Sequence, residues 1–274
     1  MASAPVDPGL IDLIGRFIIE KQRDSIVARP PLIAVVGAQG SGKTTLARAA
    51  AEQFGAVQIS LDDVYLTRAR REAMAEDVHP LFLTRGAPGT HDLRMLGRLV
   101  KTLGEARPDD KVLIPEFDKR ADDRRPIRDW RMVTGRPRAI LVDGWCLGAR
   151  PQDEGDLVEP INALERDRDP DGVWRRAVNG HLAGAYAELN ARFDAVVFLK
   201  APGFEVVHGW RAQQEADLLG VTPARLPAAD RARVAAFIQS FERITRHMLD
   251  GGIQADAVVP LDRDRRPGAI VTAP

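Results

Sequence analysis

The chain has 274 residues, with 39 basic and 39 acidic side chains. That balance argues against a general nucleic-acid binder, which needs a basic face, but leaves room for a local anion pocket. A single cysteine, Cys146, excludes an internal disulfide framework, and no apolar run approaches the ~20 residues of a membrane span.

Residues 8–29 open the chain with Leu10, Leu13, Ile14, Phe17 and Ile18 at helical spacing, stopped by Pro30 and Pro31. A core-packed helix is the expectation, and a membrane-surface helix the competing one. The start, MASAPVDPG, lacks the charged and apolar regions of a signal peptide. With the lone cysteine this predicts a cytoplasmic protein. Cys146 itself reads as a small buried hydrophobe.

A repeated grammar follows. LIAVVG (32–37), AVQISL (56–61), KVLIPEF (111–117), RAILVDG (138–144), DAVVFLK (194–200) and ADAVVPL (255–261) read as strands. Several are apolar at consecutive positions, as strands covered on both faces are. Helical patterns at 43–54, 92–104, 173–191, 203–220 and 230–249 lie between most of them. The alternation predicts an α/β fold, a mostly parallel sheet of about five strands flanked by helices. Residues 1–31 are read as an N-terminal helix and linker, and 32–274 as one domain. Helical and loop elaborations, lid-like, are expected around 64–92, 115–138, 148–172 and 203–250.

GAQGSGKTTL (37–46) lies between the first strand and the first helix of that domain. Gly37, Gly42, Lys43 and Thr44 satisfy G-x-x-x-x-G-K-[ST], the phosphate-cradling P-loop. Its glycines let backbone N–H groups curl around phosphate oxygens, and the following helix points its positive end at the same anion. Lys43 is expected to reach the outer phosphates and the Thr44 hydroxyl to ligate Mg²⁺. The nucleotide site is therefore Gly37, Gln39, Gly40, Ser41, Gly42, Lys43, Thr44 and Thr45.

Carboxylates end two later strands. In QISLDDVYLT, Asp62 has two competing readings: an acceptor of a hydroxyl proton during phosphoryl transfer, or an N-cap for the segment that follows. Asp63 is a cap or a neighbouring charge. RAILVDG ends in Asp143, the Walker-B pattern of a carboxylate that holds Mg²⁺ directly or through water.

Three loops carry further candidates. RGAPGTHD (85–92) holds Arg85, His91 and Asp92, with Thr90 or Asp92 placed to cap the next helix. PEFDKRADDRRPIRDW (115–130) carries Asp118, Lys119, Arg124, Arg125 and Arg128, either a grip for anions or a solvated charged loop. In HGWRAQQEADLLG (208–220), Arg211 and Glu215 stand four apart. They form either a helix-surface pair worth about 0.3 kcal/mol or a catalytic arginine with its neighbour.

Taken in order, GAQGSGKTTL, SLDDVYLT, RGAPGTHD, PEFDKRADDRRP, DGWCLG and WRAQQE resemble the D-glycerate 3-kinases. That family lies within the wider P-loop group of uridine kinase, phosphoribulokinase and bacterial pantothenate kinase. The resemblance runs from about Leu32 to about Leu261. It implies a P-loop kinase fold and ATP- and Mg²⁺-dependent phosphorylation of D-glycerate to its 3-phosphate. It also implies catalytic roles for Asp62 as base, for Lys43 and for a lid-borne Arg211. Thr44 and Asp143 would serve the metal, although glutamate is the commoner residue at the latter position. On the substrate side it implies Asp63, Tyr65, Arg85, His91, Asp92 and Arg124, whose cations suit a carboxylate. The expected partner is a small hydroxy acid, with neither nucleic acid nor membrane. Two alternatives stay open: a kinase of another alcohol (nucleoside, sugar phosphate or pantothenate), and a nucleotide-driven switch or loader. No asparagine precedes a lysine, so the guanine-reading Asn-Lys-x-Asp motif is absent.

Overall fold

The computed structural model describes residues 6–24 and 29–272. The first five residues, 25–28 of the helical pattern expected over 8–29, and the last two lie outside the described residues. From the amino end, α1 (Pro8–Asp24) is followed by β1 (Leu32–Gly37), α2 (Lys43–Phe54), β2 (Val57–Ser60), α3 (Arg68–Asp77) and α4 (Leu93–Glu105). Short strands β3 (Lys111–Ile114), β4 (Phe117–Asp118), β5 (Asp123–Arg124) and β6 (Arg131–Thr134) come next, then β7 (Ile140–Gly144). The second half runs α5 (Ala163–Arg168), α6 (Val173–His181), α7 (Ala187–Asn190), β8 (Ala195–Lys200), α8 (Phe204–Leu218), α9 (Ala228–Leu249), β9 (Ala257–Pro260) and β10 (Val271–Thr272).

The central sheet has the order β10-β9-β8-β1-β7-β2. Five strands are parallel, and β10 pairs antiparallel with β9 at one edge. Every residue of β1 and β7 is buried, which explains the unbroken apolar run of β1 and the apolar run Ile140–Val142 that leads to Asp143 in β7. Consecutive strands β1 and β2 are not neighbours, because β7 inserts between them. β1 and β8 are adjacent on its other side, so the crevice beyond the carboxyl ends opens at a switch in strand order. The P-loop, the turn after β2 and the end of β7 all meet at that edge.

One expected strand lies elsewhere. KVLI of β3 pairs antiparallel with β6 in a separate two-stranded ribbon. Val112 and Ile114 are buried while Lys111 and Leu113 face solvent, the in–out alternation of a strand covered on one side only.

Leu10, Leu13, Ile14 and Ile18 of α1 are buried in the same apolar core as the sheet. Each is worth about 1.5–3 kcal/mol of transfer free energy. The helical pattern at 173–191 is interrupted by a π turn over Leu182–Tyr186, with non-helical dihedrals at Gly184. Such turns redirect the side chains that follow them.

Candidate active site

The P-loop joins β1 to α2, and Gly40 (φ 78°) and Gly42 (φ 90°) take left-handed conformations. Gly40 is also a point of close approach. A β-carbon there would stand 2.6 Å from Cβ of Trp210 on α8. Trp210 in turn donates its indole N–H to the Arg263 carbonyl at 2.9 Å. Arg265 donates Nε–H to the Gly40 carbonyl at 2.5 Å and lies 5.1 Å above the Trp210 ring. Thus α8 and the segment after β9 brace the loop from outside. Sequence reasoning missed this bracing, because DRDRRP (262–267) looks like any solvated charge run.

Inside the loop, two polar side-chain atoms have no partner among the described residues. Gln39 Oε1 and Ser41 Oγ are buried without a hydrogen bond. Lys43 Nζ makes one long contact, 3.4 Å to the Ala38 carbonyl. Burial pushes the Lys43 pKa down, against the pull of Asp62 and Asp143. A desolvated ammonium beside unpartnered polar atoms suits an anionic guest.

Asp143 is fully buried at the end of β7, in register with Val35 of β1 and Ser60 of β2. It accepts from Thr44 Oγ1 at 2.6 Å, Gln58 Nε2 at 2.5 Å and Ser60 Oγ at 3.3 Å. Burial raises its pKa despite those donors and the nearby Lys43 charge. Because Thr44 gives its proton to Asp143, the hydroxyl's remaining lone pairs are free for a cation. Gln58 and Ser60 were not foreseen, and a strand's alternation gives no sign of which polar residue meets a buried carboxylate. Among the described residues no group of three or more His, Cys, Asp and Glu is placed to hold a metal by itself. The donors fit a Mg²⁺ that arrives with its own phosphate oxygens, the usual habit of that ion.

Asp62 sits in a single 3₁₀ turn, Leu61–Val64. Its carboxylate caps no helix. It accepts from Tyr65 OH at 2.9 Å and from Lys119 Nζ at 2.7 Å. Burial would raise its pKa, but Lys119, Lys43 and His91 outweigh it and hold the carboxyl well below the usual range. β1 and β2 both run parallel to β7, so the P-loop that carries Lys43 and the turn that carries Asp62 leave the sheet at the same edge. Among the described residues the Asp63 carboxylate has no hydrogen-bond or ion-pair partner, and burial together with Asp62 and Asp143 pushes it up to about 6.

The RGAPGTHD loop folds against the Val64–Leu66 segment that follows Asp62, with Leu66 N–H donating to the Thr90 carbonyl and Asp92 N–H to the Val64 carbonyl. His91 stacks on Tyr65 with ring centroids 4.5 Å apart, and its Nδ1 lies 2.5 Å from Tyr186 OH. Tyr186 arrives there from the π turn. Burial pushes the His91 pKa down to about 4, so the ring is neutral near pH 7. Thr90 holds the loop shut, accepting from Gly86 N and donating to the Ala87 carbonyl. Asp92 caps α4 by accepting from Met95 N at 2.9 Å, and its other oxygen meets Arg70 and Arg124.

The expected substrate-side arginines are committed within the chain. Arg124 donates to the Tyr65 carbonyl at 2.9 Å and to Asp92 at 3.0 Å. Arg85 pairs with Asp122 and lies over the Phe117 ring. Arg211 pairs with Glu215 at 2.9 Å and sits over Phe237 of α9. Arg233 shares that glutamate, so the Arg211–Glu215 pair belongs to a small network between α8 and α9.

A family model described as an AAA domain matches residues 32–108. Among curated proteins none matches the sequence. Among solved structures, D-glycerate 3-kinase from Cryptococcus neoformans var. grubii serotype A is 21% identical with a TM-score of 0.76. The match covers 99% of this chain and 100% of that one. The YGR205w protein is 23% identical with a TM-score of 0.69, covering 96% and 98%. The fold is therefore the P-loop kinase type, a mostly parallel sheet flanked by helices, with the P-loop motif between β1 and α2. The likeness extends over almost the whole length of this chain, beyond the span from about Leu32 to about Leu261 of the sequence resemblance.

Proposed function

We propose that this chain is an ATP-dependent kinase of a small alcohol, and that the alcohol is D-glycerate, phosphorylated at its 3-hydroxyl. The observation that carries the reading is the convergence of Lys43 and Asp62 at one edge of the sheet. In this reading Lys43 binds the phosphates and Asp62, whose carboxylate caps no helix, stands beside the transferring phosphoryl group. Glycerate is favoured over other alcohols by the full-length likeness to a structure bearing that name and by the resemblance of the six motifs.

In this mechanism the loop amides and Lys43 hold the triphosphate tail. The acceptor hydroxyl gives its proton to Asp62 while its oxygen bonds the γ-phosphorus. The bond from that phosphorus to the bridging oxygen breaks, and ADP departs. Tyr65, hydrogen-bonded to Asp62, fixes the carboxylate's orientation. The neutral His91, stacked on Tyr65 and bonded to Tyr186, keeps Tyr65 in place. Thr44 and Asp143 would hold Mg²⁺, which when bound neutralises charge on the transferring group. Arg211 would close over the same group on leaving Glu215. Most of the acceleration then comes from positioning and charge stabilisation, as is general for phosphoryl transfer.

ADP release from ATP and Mg²⁺, followed over a panel of D-glycerate, uridine, pantothenate and ribulose 5-phosphate, tests this. Turnover is expected with D-glycerate. Turnover with another panel member alone would overturn the acceptor, and turnover with none would overturn the kinase reading.

A further inference from the structure

Lys119 stands at the tip of the β4–β5 hairpin, and its ammonium is 2.7 Å from Asp62 Oδ2. The hairpin is held from beneath. Arg71, fully buried on α3, donates to the Asp122 carbonyl at 2.6 Å and meets its carboxylate at 3.0 Å. Arg85 pairs with the same carboxylate. Asp122 itself is left-handed (φ 55°), a conformation that such anchoring sustains. On the near side, Asp118 accepts from the backbone N–H groups of Arg120 and Ala121. The turn is thus built, yet the Lys119 side chain is 59% exposed, against 14% for Arg124 and 22% for Arg85. Its one hydrogen-bond or ion-pair partner among the described residues is Asp62.

This arrangement poses a chemical problem for the reading above, on which the inference rests. Asp62 Oδ1 is taken by Tyr65 and Oδ2 by Lys119. An acceptor hydroxyl that is to donate to Asp62 must displace one of them. Displacing the ammonium in favour of a neutral alcohol gives up the ion pair with Asp62 and leaves the exposed cation to water, a net loss that the new hydrogen bond must offset. An acceptor that carries its own anionic group removes that cost, because the flexible lysine stem lets the ammonium move from one carboxylate to another. The positive charge of Lys43 still acts on Asp62 after the exchange. Arg85 and Arg124, by contrast, would have to abandon Asp122 and Asp92.

We propose that Lys119 selects an anionic acceptor: its ammonium leaves Asp62 Oδ2 as the acceptor hydroxyl takes that oxygen, and binds the acceptor's carboxylate instead. Lys119 is then both a lock on the carboxylate in the absence of acceptor and the recognition element that opens it.

The test compares D-glycerate with glycerol, its uncharged analogue, in the full-length wild type, K119M and K119R with saturating ATP and Mg²⁺. In the wild type, D-glycerate is expected to be the better acceptor. K119M is expected to lower kcat/KM for D-glycerate about 10- to 100-fold, mainly through KM, the cost of one charge-assisted hydrogen bond. Glycerol turnover should be unchanged or raised, so the preference collapses. K119R should retain most of it, and the Kd for ATP should be the same in all three. The acidic limb of kcat/KM should also move to higher pH in K119M. Lys43, His91, Tyr65, Asp63, Asp143 and Cys146, the other titratable groups that influence Asp62, are unaltered there. Equal losses on both acceptors, an unchanged preference, or a wild type that favours glycerol would overturn the proposal alone. A wild type that phosphorylates no alcohol would overturn the kinase reading and this proposal together.

Discussion

Replacing Arg71 by Met should destabilise the chain by about 3–5 kcal/mol, the range for breaking a buried ion pair from one side. The magnitude follows from what the guanidinium touches. It is fully buried and donates to the Leu83 carbonyl at 2.5 Å, the Asp122 carbonyl at 2.6 Å and the Leu66 carbonyl at 3.4 Å. It also meets the Asp122 carboxylate at 3.0 Å. Met fills most of the volume but donates nothing, so three carbonyls lose a donor at about 1–3 kcal/mol for each one left buried. The charge of Arg85 still compensates Asp122, which places the expected loss nearer the lower end. Arg71→Lys should cost less, about 1–3 kcal/mol, since one ammonium cannot serve the same spread of carbonyls. Urea unfolding followed by circular dichroism at neutral pH measures both. A loss below about 1 kcal/mol for Arg71→Met would refute the claim that this side chain anchors the β4–β5 hairpin.

Asp62→Asn should leave the Kd for ATP within about twofold and lower turnover by roughly 10²–10⁴, the usual contribution of a general base; unchanged turnover, read by ADP release, would remove Asp62 from that role. Gly40→Ala should weaken ATP binding more than about tenfold, because the left-handed backbone costs about 1–2 kcal/mol and the new methyl must displace Trp210. Calorimetric titration with ATP checks this, and wild-type affinity would show that Trp210 does not limit the loop. His91 binds protons less readily folded (about 4) than unfolded (6.5), so its contribution to stability is present at pH 7 and falls as pH drops from 6.5 to 4. Asp63, raised to about 6, works with the opposite sign over much of that window, so the wild-type curve alone does not isolate either. The difference between wild type and His91→Gln does: its pH dependence should approach about 3 kcal/mol between pH 7 and pH 4 in urea unfolding. A difference that is constant with pH would contradict a neutral, buried His91.

Much of the fold was legible because buried parallel strands leave unbroken apolar runs. Five of the six expected strands form the parallel sheet, and the helices between them fall within a few residues of their patterns. KVLI misled because four residues alternating in and out look apolar enough to be central, and only its ribbon partner, RMVT of β6, explains it. α3 was not foreseen, since RARREAMAED buries Arg71 rather than a hydrophobe and carries no apolar stripe. Around the site, Gly42, Lys43 and Thr44 were legible from local spacing. Gln58, Ser60, Tyr186 and Arg265 were not, since each meets the site through contacts distant in sequence that no local pattern encodes. Lys119 stood in a charge run whose solvated reading is the ordinary one; its ion pair with Asp62, 57 residues away, exists only in three dimensions.

The central claim is that Asp62 readies an alcohol for attack on a phosphoryl group held by Lys43. A crystal structure of the chain with a non-hydrolysable ATP analogue, Mg²⁺ and D-glycerate tests it most directly. The account predicts the analogue's terminal phosphate at Lys43 and the P-loop amides, with the 3-hydroxyl of glycerate hydrogen-bonded to Asp62 and facing the terminal phosphorus. Glycerate bound with that hydroxyl turned away from Asp62, or a terminal phosphate seated out of reach of Lys43, would contradict it.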